Sequence, residues 1–86
     1  MQFDGALIKE QNITFAVVVV KPHVLNSNQA SDDARRSFSH VFPGVPIILM
    51  AQDHRGTPTY QGRKDIVAFL ANVSPSRIPF KTYNYS

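Results

Sequence analysis

Eighty-six residues, 43% hydrophobic and 17% charged, allow one folded domain with a modest core and argue against a disordered chain. Cysteine is absent, which excludes a disulfide framework, a thiol nucleophile and a thiolate metal site. A net charge of +3 is only mildly basic, so charge alone does not select nucleic acid as a partner.

The N-terminal segment carries Asp4, Lys9 and Glu10 where a signal peptide would be apolar. The apolar run from Ile13 to Val20 is far shorter than the roughly 20 residues that a membrane span needs. A small secreted domain usually relies on disulfides, so the expected setting is cytoplasmic, with no membrane partner.

Taken in chain order, Asp4 is placed to cap a short helix over residues 5–11, with Leu7 and Ile8 as its buried edge. The rival reading is a hairpin strand over Ala6 to Glu10. Asn12 then stands where a left-handed residue is wanted. Ile13 to Lys21 reads ITFAVVVVK. Its β-branched residues favour a strand, and its lack of alternation predicts a central strand covered on both faces. Lys21-Pro22 stops it, and His23 to Asn28 read as a loop.

Ser27 or Asn28 is positioned to cap a helix whose inner stripe is Ala30, Ala34, Phe38, Val41 and Phe42. Asp32 and Arg36, four apart, are predicted to pair on its outer face, and Pro43-Gly44 to end it. Val45 to Ala51 forms a second buried strand, completing a β-α-β unit. Asp53 to Gly56 are turn residues. Thr57 to Gln61 is predicted to return antiparallel, with Pro58 placing it at an edge. A last helix spans Arg63 to Val73, with Ile66, Val67, Leu70 and Val73 inward, until Ser74-Pro75 stops it. Residues 76–86 are an aromatic tail or edge strand holding Phe80, Tyr83 and Tyr85.

The fold class is therefore α/β. The predicted order is α-β-α-β-β-α plus tail, on a mixed sheet of three or four strands within a single domain, 1–86. Val45-Pro46, then IILMAQD, a turn, TPTYQG and a helix, resembles the C-terminal half of a thioredoxin-like domain. That resemblance implies a cis-proline before a strand, a hairpin and a closing helix. It covers residues 45–73, about a third of the chain, and without a cysteine pair it carries no redox chemistry.

The strongest concentration of polar groups is Gln52, Asp53, His54, Arg55, Gly56, Thr57, Tyr60, Arg63 and Lys64, beyond the end of the second buried strand. Arg55, Arg63, Lys64 and Thr57 are candidates for binding an anion, with the helix opening at Gly62 adding free N–H groups. The competing reading is a solvated hairpin turn. Asp53 and His54 are candidates for an acid/base pair, but no nucleophile lies beside them in the sequence. His23, His40 and His54 lack the spacing that shares one face toward zinc, so no metal or other cofactor is expected. Phe80, Tyr83 and Tyr85, with Arg77 and Lys81, can stack bases or simply cover the core and an edge.

The function these patterns favour is a non-catalytic binding or protein-interaction module. It is expected to self-associate through the edge at Thr57 to Gln61 or through the aromatic tail, or to bind an unknown protein. The alternative is an anion or nucleic-acid binder at Arg55, Arg63 and Lys64. An enzyme using Asp53 and His54 ranks third.

Overall fold

The computed structural model describes residues 2–10 and 12–84. One mixed sheet runs through the molecule in the order β4-β3-β2-β1-β5. Its strands are β1 (Gln2–Glu10), β2 (Ile13–Val19), β3 (Ile47–Gln52), β4 (Pro58–Gln61) and β5 (Lys81–Asn84). Only β2 and β3 are parallel; β1 pairs antiparallel with β2 and β5, and β4 pairs antiparallel with β3. Three helices, α1 (Pro22–Leu25), α2 (Asn28–Phe38) and α3 (Lys64–Leu70), and a 3-10 turn at Pro75–Arg77 complete it.

β2 is central, as its valine run demands. Ala16, Val17 and Val18 are fully buried, and their side chains divide between two cores. Phe15 and Val17 meet Ile48, Met50, Ile66 and Leu70 on the α3 face. Ala16 and Val18 meet Phe38, Phe42, Ile47 and Leu49 on the α2 face. Burial on both faces is why apolar and polar residues do not alternate here.

Three expectations are corrected at the N-terminus. Residues 5–10 do not form a helix: they belong to β1, the rival hairpin reading, and β1 starts earlier, at Gln2; Gln11 lies outside the described residues. Asp4 caps nothing; its Oδ1 accepts a hydrogen bond from Thr82 Oγ1 at 2.9 Å across the β1–β5 pair. Leu7 and Ile8 do not share a face. In a strand they point opposite ways, so Ile8 packs on the α3-side core while Leu7 is 50% exposed. Ala, Leu, Lys and Glu all favour helix, but pairing with β2 from Gly5 to Glu10 and the burial of Ala6 outweigh a propensity of a few tenths of a kcal/mol per residue. Asn12 is left-handed, at φ 65°, but it serves a tight hairpin in which Glu10 faces Ile13.

The sheet has five strands instead of three or four, because the tail supplies β5 beside β1. The order of elements changes accordingly, to β-β-α-α-β-β-α-β. The expected loop after Pro22 holds a helical turn, α1, with proline at its first position, where a missing N–H costs nothing. Ser27 caps α2 by accepting from Ala30 N–H at 3.2 Å. α2 ends at Phe38, sooner than Pro43-Gly44 requires, and Phe42 reaches the core from the following turn. Its outer charges pair three residues apart, Asp32 with Arg35 and Asp33 with Arg36, not as Asp32 with Arg36. Ser31 is buried, and its Oγ donates to the Val24 carbonyl at 2.8 Å, tying α2 to α1.

β4 is an antiparallel edge strand, with Pro58 opposite Gln52 at its start. Arg35 crosses from α2 to this side of the sheet, donating from Nη2 to Gln61 Oε1 at 2.9 Å. At Gly62 the chain sits so close to β3 that a Cβ would lie 2.6 Å from Ile48 Cδ1, at a φ of 155°. α3 is shorter than predicted, ending at Leu70, and buries Ile66 and Leu70.

Candidate functional site

Gln52 to Thr57 are all exposed, at the tip of the β3–β4 hairpin. The Asp53 carboxylate is occupied in shaping that tip. Its Oδ1 accepts from Arg55 N–H at 2.8 Å and Thr57 N–H at 2.9 Å, an Asx turn that closes on its own backbone. Gln52 Nε2 donates to the Gly56 carbonyl at 3.1 Å, and Gly56 takes φ 83°, where a side chain would be strained. His54 donates no hydrogen bond to Asp53 among the described residues, so the two form no oriented dyad.

The cationic candidates are not brought together. Arg55 lies before β4, and Arg63 and Lys64 follow it, so the whole of that strand, about 13 Å long, lies between the groups. Arg63 is also committed. It donates from Nε and Nη2 to the two carboxylate oxygens of Asp65 at 2.8 and 2.7 Å. That fork holds the Asp65 carboxyl below the usual carboxylate range and raises the Arg63 guanidinium further. α3, at seven residues, offers little helix dipole to add. Thr57 borders a shallow hollow with Pro58 and Tyr60 against α3. Tyr60 Oη is buried without a hydrogen-bond partner among the described residues, and burial pushes its phenol pKa up. No group of three His, Asp or Glu among the described residues is placed to hold a metal ion. Among the described residues no helix is long and apolar enough to cross a membrane.

The aromatic tail resolves into packing. Tyr83 stacks on Phe3 at 5.2 Å between centroids and meets Phe42 edge-on at 5.1 Å, while Phe3 also touches Phe38 at 4.8 Å. Lys81 Nζ sits 4.9 Å from the Tyr83 ring centre. Phe80 packs on the α3-side core. Tyr85 lies outside the described residues.

The feature that sequence reasoning missed is the outer edge of β1. Ala16 N–H donates to the Pro46 carbonyl and Val20 N–H to that of Met50, so even-numbered residues of β2 face β3. Its odd-numbered residues therefore face β1. In the register Ala6 opposite Val17 and Ile8 opposite Phe15, it follows that even-numbered residues of β1 bond to β2. Phe3, Gly5, Leu7 and Lys9 turn their N–H and C=O outward. β5 faces Phe3 with Tyr83 and Gly5 with Lys81. Before Lys81 the chain turns out of the ladder, with Phe80 N–H donating to the Ile78 carbonyl at 2.8 Å around Pro79, and β5 has no partner for Leu7. Leu7 and Lys9 thus present an unpaired backbone edge among the described residues.

Beside that edge runs a groove of about 490 Å³, walled by Ile8, Phe69, Leu70, Val73, Ile78 and Pro79. Lys9, Glu10 and Arg77 lie on its rim. The opposite edge of the sheet differs. The same parity argument turns Thr59 and Gln61 inward to β3, leaving Pro58 and Tyr60 outward, so β4 offers a single outward N–H.

No protein-family model, curated protein or solved structure matches the chain. The resemblance to a thioredoxin-like domain is left with the order strand, antiparallel strand, helix over residues 47–70. Every peptide bond among the described residues is trans, Val45-Pro46 included, so the implied cis-proline is not found.

Proposed function

We propose that this chain is a non-catalytic protein-interaction module that takes an extended partner strand on its sheet. The observation that carries the reading is the open half of β1, where Leu7 and Lys9 turn unpaired backbone groups outward beside an apolar groove. Main-chain pairing would supply affinity, and the groove would select an apolar side chain at alternate positions of the partner. The edge that the sequence suggested, Thr57 to Gln61, is short and blunted by Pro58, so the working edge moves to β1.

Selection of random displayed peptides on immobilised protein tests this. Apolar, extended sequences are expected, and they should shift the amide resonances of Leu7 and Lys9 and of the α3 residues facing them. Shifts confined to the Asp53–Gly56 hairpin, or no binding by any peptide together with no self-association, would remove the reading.

The alternative, anion or nucleic-acid binding at Arg55, Arg63 and Lys64, draws on charge alone. It predicts heparin retention that weakens with salt and strengthens in Asp65→Asn, which releases Arg63.

A further inference from the structure

The edge of β1 is complementary to itself. We infer that a second copy of this chain occupies it, joining two sheets antiparallel through Leu7 and Lys9. This rests on the proposed strand-adding function and names the occupant.

The register argument is restrictive. Hydrogen-bonded antiparallel pairs must join outward-facing residues, here Leu7 and Lys9 of each copy. Pairing Leu7 with Leu7 sends Lys9 to Gly5, whose outer groups already face Lys81 of β5. Pairing Lys9 with Lys9 sets like charges directly opposite, which is destabilising. Pairing Leu7 with Lys9 of the second copy uses every open group on both chains, and a two-fold axis then passes between the two Ile8 residues.

The side chains agree with that register. On the α2 face the alkyl stem of each Lys9 covers the other copy's Leu7, the one large hydrophobic residue among those described that stands exposed. On the α3 face the two Ile8 side chains meet over the groove that Phe69 and Val73 wall. Glu10 comes opposite Ala6 of the second copy, on the face where Arg77 lines the same groove. Neither Glu10 nor Arg77 has an ion-pair partner among the described residues, so the charges that remain are complementary. The contact is small and isologous, so the dimer is weak and depends on concentration.

Sedimentation equilibrium to high micromolar concentration, on the full chain, tests the register. The wild type should dimerise reversibly. Leu7→Lys places like charges opposite each other twice per dimer, and Leu7→Glu places opposite charges there. Leu7→Lys should therefore dimerise about tenfold more weakly than Leu7→Glu. Both substitutions are at a half-exposed edge position, and circular dichroism checks that they fold. Lys9→Pro provides a second route, since it removes an outward N–H without touching the β2 ladder, and it should abolish the dimer. A wild type that stays monomeric overturns the inference, as does association that Lys9→Pro leaves intact or that the two Leu7 variants weaken equally. If peptides still bind the β1 edge of a monomeric protein, the strand-adding function stands and only the second copy is rejected.

Discussion

Asp53 shows how a residue with catalytic chemistry can be consumed by local structure. One carboxylate oxygen holds two backbone N–H groups of its own hairpin, so the side chain builds the turn that displays His54 and Arg55. Asp53→Ala should cost about 1 kcal/mol, because the bonds are exposed and water competes for them, and Asp53→Asn should retain most of that. Urea denaturation of the two variants checks the difference. Tyr60 carries the opposite imbalance: its hydroxyl is buried with no partner among the described residues. Tyr60→Phe should be neutral or stabilise the fold by up to about 1 kcal/mol at neutral pH. The sign of its pH dependence follows from the raised pKa. As pH climbs past about 10, the unfolded phenol ionises while the folded one stays protonated. Folding stability is then lost with rising pH, and the wild type should lose more than Tyr60→Phe in denaturation at alkaline pH.

β1 is the element on which sequence and structure part company, and it is also the one that carries the proposed function. Its residues favour helix individually, yet they pair with β5 from Gln2 to Gly5 and with β2 from Gly5 to Glu10, so that only Gly5 is paired on both sides. The parity derived for it has a direct consequence. In dilute solution the amides of Ala6 and Ile8, bonded to β2, should exchange with solvent far more slowly than those of Leu7 and Lys9. Residue-resolved hydrogen exchange reads this alternation, and uniform protection from Ala6 to Lys9 would mean that the outward groups are already paired. α2 and β3 were legible in outline because their signals are local: a serine cap, a 3.6-residue stripe, an unbroken apolar run. Their boundaries were less so. Phe42 reaches the core from a turn, which a periodic pattern cannot distinguish from one more helical turn.

Across the whole molecule, the two ends of the described chain meet, with Gln2 opposite Asn84 in the sheet. Phe3, Phe38, Phe42 and Tyr83 form one aromatic cluster drawn from three distant stretches of the sequence. Truncation after Phe80 removes β5 and leaves Phe3 without its stacked partner. It should cost about 2–4 kcal/mol, a large part of the stability of so small a domain, and expose the rest of β1 to aggregation. Thermal unfolding and light scattering measure both effects. The amino-acid sequence alone determined the α/β class, the buried central strand at Val17 and Val18, the capped helix after it, the antiparallel edge at Pro58 and the polar hairpin between. Each of these rests on interactions among residues close in the chain or on the simple demand that apolar runs be covered. Only the tertiary structure decided that the first segment is a strand, that the tail completes the sheet, and that the turn around Pro79 ends the ladder and leaves Leu7 and Lys9 open. The first depends on the β1–β2 hairpin, and the others on pairing between residues more than seventy positions apart, whose edge and extent no local propensity encodes.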